Sequence, residues 1–228
     1  MKIIDAHSHI DYITHLSQDD VCGTIVCTTN ESEWGKLIDM ANSDNNIYCA
    51  FGIHPWFVND VQTGFQQRLE NVLKTNRLYL VGEIGLDKFK PNMEKQIEVF
   101  KIQLDIAVKL KRNVFIHCVG AWDKILHILK RYKKSELPII IAHDFNGSEK
   151  ISQYLIDNYN VMFSFGKNVI YGRKSRIEQI PNDKILVETD GKESVELKSI
   201  VEKISNEKNN LNMDDVIYNN TLKVLENE

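Results

Sequence analysis

The sequence predicts an α/β fold, a (β/α)8 TIM barrel forming a single domain over residues 1–228, and three observations carry that reading. Runs rich in β-branched and aromatic residues recur eight times, near 2–8, 23–29, 47–53, 79–85, 113–118, 138–143, 160–165 and 185–189. Most intervals between them place apolar residues at helical spacing, the alternation that a parallel sheet with crossover helices requires. At 228 residues the chain is also close to the roughly 250 of a typical eight-fold barrel, which leaves little room for insertions.

The first run, Lys2-Ile3-Ile4, ends in Asp5-Ala6-His7-Ser8-His9. Side chains on a strand alternate between faces, so His7 and His9 point the same way and can hold one metal ion. Asp11 to Asp20 is polar and irregular and is expected to lie over the barrel mouth as a loop, with His15 a surface histidine. The second strand leads through Asn30-Glu31-Ser32-Glu33 into a helix that buries Trp34, Leu37, Ile38 and Ala41. The third ends in Gly52-Ile53-His54-Pro55-Trp56. A residue before proline is held extended, so His54 projects toward the mouth, as a substrate contact or as a partner within its own loop. A helix over 61–75 then returns to the sheet.

The fourth strand carries Val81-Gly82-Glu83-Ile84-Gly85-Leu86-Asp87. A carboxylate inside such a run costs several kcal/mol unless it is neutralised or meets a cation, and a metal would supply one. Asp87 is expected to accept a hydrogen bond behind the site. In the next helix Ile97, Phe100, Leu104, Ala107 and Val108 form the apolar stripe. The fifth strand ends at His117, and Ile125, Leu126 and Leu129 face inward on the helix after it, where His127 is a solvated bystander. The sixth ends at His143 and the eighth at Asp190. Lys167, Arg173, Lys174 and Arg176, after the seventh strand, are the local excess of positive charge near the mouth, read as a solvated face before a substrate contact. Helices near 194–207 and 214–226 close the barrel.

Composition narrows the class. With 43% hydrophobic residues and mixed charges the chain can bury a full core, and a net charge of −4 argues against coating nucleic acid non-specifically. Phosphate substrates stay open, because bound cations reverse the field inside a cleft. The four cysteines have no framework spacing and read as reduced, buried thiols. No leader pattern and no apolar stretch of about 18 residues occurs, so no membrane association is expected and a cytoplasmic location is. No stable protein partner is indicated.

Imidazoles and carboxylates from separate strands at one rim would be costly to bury together without cations. The economical account is a two-metal site: one ion at His7 and His9, a second at His117 and His143, Glu83 bridging them, and Asp190 ligating the first ion and taking the proton of the attacking water. Glu83 and Asp190 are thus the catalytic carboxylates. The four histidines favour zinc, manganese, iron or nickel over an all-oxygen magnesium cage.

Asp5-Ala6-His7-Ser8-His9-Ile10-Asp11, Gly52-Ile53-His54-Pro55, Gly82-Glu83-Ile84-Gly85-Leu86-Asp87, Phe115-Ile116-His117, His143-Asp144-Phe145-Asn146-Gly147 and Val187-Glu188-Thr189-Asp190 together resemble, in order, the motifs of the TatD-type metal-dependent deoxyribonucleases. Gln96, Phe100, Gln103, Leu104, Ala107 and Asn220 are similar too. The resemblance implies a TIM barrel of the amidohydrolase superfamily that binds two divalent ions through His7, His9, Glu83, His117, His143 and Asp190. It also implies hydrolysis of DNA phosphodiesters, often from a 3′ end, supported by magnesium or manganese. The chain departs from the pattern at Cys118-Val119-Gly120, where the family has Ser-Arg-Asp, at Asp144 in place of Cys, and at Gly191-Lys192 in place of Ala-Pro. Two other readings therefore stand beside the nuclease: the same ions hydrolysing another small ester, phosphoester, lactone or amide, and an inactive metal-binding barrel.

Overall fold

Eight parallel strands follow one another around the sheet in chain order. They are β1 (Ile3–Ser8), β2 (Val21–Cys27), β3 (Ile47–Phe51), β4 (Leu80–Asp87), β5 (Val114–Val119), β6 (Ile140–Ala142), β7 (Val161–Phe165) and β8 (Ile185–Val187). The helices are α1 (Trp34–Ser43), α2 (Phe65–Thr75), α3 (Met93–Leu110), α4 (Trp122–Leu129), α5 (Glu149–Asn158), α6 (Asn168–Tyr171), α7 (Leu197–Lys208) and α8 (Met213–Leu225). The computed structural model describes residues 1–17, 20–171, 177–191 and 196–226, with backbone only at 14–17 and 171. Arg173, Lys174, Arg176 and Lys192 lie outside the described residues, as does the side chain of His15.

Strand alternation divides the apolar side chains into two sets. One, including Ile3, Val26, Phe51, Val81, Ile116 and Val187, packs under the helices. The other is made of strand side chains, Ile4, Ala6, Ile25, Cys27, Ala50, Leu80, Phe115, Ile141, Met162 and Leu186, joined by Val224 and Leu225 of α8. A cluster built from strand side chains of successive strands is the barrel interior, a packed core rather than a pore.

From that interior two-residue steps lead upward: Phe115 to His117, Ile141 to His143, Leu186 to Glu188 and Asp190. On β1 and β4 the phase is wrong, since Ala6 and Leu80 are the inward residues. The pairing shifts between Asp5 and Ser8 and between Val81 and Ile84, and these irregularities turn His7 and Glu83 inward. Gly85 permits the close approach that follows: at φ 157° it lies against β5, where a Cβ would collide with the His117 carbonyl.

Some boundaries differ from expectation. Ile10–Ser17 is a run of 3-10 turns broken at Tyr12, not an irregular loop. The segment after His54 forms 3-10 turns over Pro55–Asp60, because proline starts a helix well but the backbone becomes extended at Val61, and α2 begins only at Phe65. On α3 the buried face is rotated: Ile97 and Val108 are half-buried, while Gln96 and Gln103 are sealed. Each amide grips one strand end. Gln103 accepts from the Ile53 N–H (2.7 Å) and donates to its carbonyl (3.1 Å), and Gln96 does the same for Asp87 (2.9 and 3.2 Å). On α4, Trp122 and Ile128 are buried more deeply than Leu126.

The barrel closes through a side chain. The Asp190 N–H bonds the His7 carbonyl (3.0 Å) across the seam between β8 and β1. The buried Asp5 carboxylate accepts from the Thr189 N–H (3.0 Å), the Thr189 hydroxyl (2.7 Å) and the His7 N–H (3.2 Å). Asp5→Ala strips three buried donors of their acceptor, at about 1–3 kcal/mol for each donor left unsatisfied. Denaturant unfolding should report a loss of at least about 3 kcal/mol; a loss under about 1 kcal/mol would mean the seam does not depend on this carboxylate.

Candidate metal centre

The site is organised around one carboxylate. Glu83 is 2% exposed, and five imidazoles face it. Its two oxygens divide them. Oε2 looks toward His7 Nε2 (3.4 Å) and His9 Nε2 (3.5 Å). Oε1 looks toward His117 Nδ1 (2.7 Å), His143 Nε2 (2.7 Å) and His54 Nε2 (3.4 Å). Asp190 Oδ1 stands on the Oε2 side, 3.7 Å from His7 Nε2 and 3.6 Å from His9 Nε2. All six residues expected as metal ligands are thus brought to one point at the C-terminal rim, and His54 joins them. His127 lies exposed on α4.

The surrounding hydrogen bonds decide which ring nitrogen of each histidine is free. His9 Nδ1 is 3.0 Å from the Cys27 carbonyl, which can only accept, so that nitrogen carries the proton and Nε2 keeps its lone pair for the cluster. His143 Nδ1 is 3.3 Å from Glu188 Oε1, which leaves its Nε2 as the inward ligand. His54 is the opposite case. Its Nδ1 accepts the Trp56 N–H (3.2 Å), so the neutral ring carries its proton on Nε2 and presents a donor to the site.

Burial and charge balance one another here. Burial pushes the Glu83 carboxyl up, but His143, His54, His7 and the bond from His117 outweigh it and hold the group well below the usual range. Burial likewise opposes ionisation of Asp190, and the bond from His9 with the fields of His143 and His7 overcomes it, so this carboxyl is also held down. His143 is disfavoured as a cation by burial yet held well above its ordinary value by Glu83 and Glu188. For His54 burial prevails over Glu83, lowering its value, which agrees with the neutral, Nε2-protonated ring.

Donor chemistry and geometry fit a metal ion. His7 is buried with hydrogen-bond partners at neither ring nitrogen, and His117 Nε2 is likewise without one. His117 Nδ1 and His143 Nε2 converge to 3.2 Å, a spacing that needs a shared proton or a cation. Three overlapping groups, His7-His9-Glu83, His7-His143-Asp190 and His54-Glu83-His117, each place ligand atoms within 4.8 Å of one another. The third uses the His54 nitrogen that carries a proton, so His54 suits a substrate oxygen better than an ion. Above the cluster opens a cavity of about 590 Å³, large enough for a small ligand or the end of a polymer.

Several residues were not singled out from sequence. Glu188 is fully buried and accepts from the Asp144 N–H (2.8 Å) besides facing His143. Like Glu83 it is a carboxylate within an apolar run, and the same cost of burial marks it in the sequence. Asp5 and the glutamines carried no such signal, since their roles depend on partners 50 or more positions away for Gln103 and 184 for Asp5. Asp87 touches no imidazole; it accepts from the Trp56 indole and the Phe89 N–H and reaches the site only through His54's neighbour.

An eight-stranded parallel barrel with convergent imidazoles and carboxylates at its C-terminal rim is a scaffold of the metal-dependent hydrolase kind. The model of the TatD related DNase family matches residues 4–226, and the chain belongs to that family of metal-dependent hydrolases. Among its relatives is an Escherichia coli protein described as an uncharacterized metal-dependent hydrolase, YjjV, 27% identical over 209 residues, covering 83% of this chain and 79% of that one. The crystal structure of YjjV superimposes with a TM-score of 0.87 over 97% of both chains, at 22% identity, and so speaks for the fold. A Pectobacterium atrosepticum protein named 3′-5′ ssDNA/RNA exonuclease TatD is 30% identical over 183 residues, 75% of this chain and 68% of its own. The human 3′-5′ RNA nuclease TATDN2 is 29% identical over 171 residues, 72% of this chain; the match spans only 22% of that longer protein. Among the described residues no helix is long and apolar enough to cross a membrane.

If the folded cluster takes a divalent ion that the unfolded chain does not, reloading a chelator-stripped sample must stabilise it. At a hundredfold excess of ion over Kd the gain is about 2.7 kcal/mol, or roughly 5–10 °C in Tm for a domain of this size. An unchanged Tm in zinc and manganese alike would show that the cluster does not act as a metal site.

Proposed function

We propose that the chain is a nuclease that hydrolyses DNA phosphodiesters at a two-metal centre held by His7, His9, Glu83, His117, His143 and Asp190. The observation that carries this reading is the division of imidazoles by Glu83, His7 and His9 at one oxygen and His117 and His143 at the other, which is the arrangement a bridging carboxylate needs. The names of the P. atrosepticum and human relatives, nucleases of single-stranded DNA or RNA, support a nucleic-acid substrate. The imidazole-rich donor set suits zinc or manganese better than magnesium. Four free cysteines, three of them buried, suit a reducing compartment such as the cytoplasm.

When bound, divalent ions supply Lewis acidity to the scissile phosphate and to water. The chain's own groups do the rest. Water adds to phosphorus as the P–O ester bond breaks, and the departing ester oxygen takes a proton from solvent to leave as an alcohol. Asp190, with 20% of its side chain exposed against 2% for Glu83, is the carboxylate open to the cavity, and it takes the proton of that water. His54 Nε2–H donates to a phosphate oxygen and orients it, and Cys27 and Glu188 fix the rings of His9 and His143 so that their lone pairs converge. Glu83, with both oxygens engaged, balances charge and does not move a proton.

Hydrolysis of end-labelled single-stranded DNA by metal-loaded protein, run beside chromogenic phosphate, carboxylate, lactone and amide substrates, tests the assignment; turnover of the small esters alone would replace DNA as substrate. Glu83→Ala should lose metal at both positions, and elemental analysis finding two ions retained per chain would sink the bridging role. Asp190→Asn keeps a ligating oxygen but cannot accept the proton, so it should retain metal and lose about 10²- to 10⁴-fold in turnover. A near-wild-type rate on the best substrate would remove Asp190 as the base.

A further inference from the structure

We propose that Trp56 and Phe89, backed by Lys88 and Lys90, form a stacking shelf that receives unpaired bases of a single-stranded nucleic acid at the cavity mouth. The inference rests on the nuclease reading and names the residues that would hold the bases of its substrate.

Trp56 lines the cavity and is 52% exposed, and Phe89 is 75% exposed. One of these large exposed aromatic side chains lines the cleft, and the other stands on the loop whose backbone shares the Asp87 carboxylate with it. The indole and the backbone of the loop are held in place. The buried Asp87 carboxylate binds both, Oδ2 accepting the Trp56 indole N–H (2.8 Å) and Oδ1 the Phe89 backbone N–H (2.9 Å). Gln96 in turn ties the loop by donating to the carbonyls of Lys90 (3.3 Å) and Pro91 (3.0 Å). Aromatic groups fixed before binding lose little entropy when a ring stacks on them.

Charge selects the occupant. Asp11, Glu33, Asp144 and Asp190 line the cavity and would repel a phosphate chain. The lysines answer this at the shelf. Lys90 Nζ lies 3.9 Å from the Trp56 ring centroid and Lys88 Nζ 5.0 Å from that of Phe89. The Lys88 stem occupies the space a side chain at position 120 would need, since a Cβ on Gly120, at φ 62°, would meet Lys88 Cδ at 2.5 Å. Gly120 thereby lets Lys88 run across the end of β5, where His117-Cys118-Val119 offers no cation of its own. Aromatic faces interleaved with ammonium groups match a base-and-phosphate polymer whose bases are free, and a duplex keeps its bases stacked inside.

Trp34 and Trp122 are 4% and 6% exposed, so quenching of tryptophan fluorescence reports on Trp56. The full metal-loaded chain is titrated with a phosphorothioate single strand of about 12 residues, within the span such surfaces cover. Quenching is expected, with Kd weakened roughly 5- to 150-fold by Phe89→Leu, which keeps apolar bulk and removes the ring. A strand carrying abasic sites should weaken by a similar factor, and Phe89→Leu should be less sensitive to that change. Absence of quenching, wild-type affinity in Phe89→Leu, equal binding of intact and abasic strands, or equal quenching by a blunt duplex each overturns the shelf. Quenching without cleavage of ordinary DNA keeps the shelf and removes the nuclease reading; cleavage without quenching does the reverse.

Discussion

The burial of Glu83 beneath five imidazoles is the constraint on which the rest of this structure depends. An isolated carboxylate at that depth would cost several kcal/mol, and a group of imidazoles pressed together would be little better. Each makes the other tolerable: the rings hold the carboxyl ionised, and the carboxylate gives His143 and His9 a counter-charge. The balance is incomplete, for neither ring nitrogen of His7 has a hydrogen-bond partner and the nitrogens of His117 and His143 converge on one another. Ions complete it. A polar core of this kind holds its geometry only if its walls are rigid, and the surrounding barrel supplies that rigidity.

The walls are made rigid in specific ways. Gln103 and Gln96 on α3 clamp the carboxyl ends of β3 and β4, the ends from which His54 and the 88–90 loop depart. Pairing irregularities on β1 and β4 turn His7 and Glu83 into the barrel where simple alternation would have put them under the helices. Asp5 binds Thr189 across the closing seam and thereby places Asp190 beside His7. The carboxylate that helps close the barrel thus also sets the position of Asp190, the proposed base.

The same economy extends outward. Asp87 does not support an imidazole directly; it pins the Trp56 indole, and the Trp56 N–H fixes the His54 tautomer. One buried carboxylate therefore holds the indole of the residue whose backbone N–H meets His54. Acidic residues around the cavity and lysines at its edge give the entrance a polarity that the net charge of −4 does not reveal.

By itself the sequence determined the eight strands, their alternation with helices, and the six residues that converge with His54 at the rim, because period and strand-end position are local properties of the chain. A histidine at the end of an apolar run is visible from its immediate neighbours, as is a carboxylate inside one. Only the tertiary structure decided the phase of His7 and Glu83, which bulges set against the neighbouring strand. It also decided the tautomers of His9, His54 and His143, set by a carbonyl, an N–H and a carboxylate, two of them distant in sequence. The roles of Asp5, Gln103 and Glu188 belong to the same class, for a hydrogen bond between residues 184, 50 or 44 positions apart leaves no periodic trace in the chain and exists only once the barrel has closed.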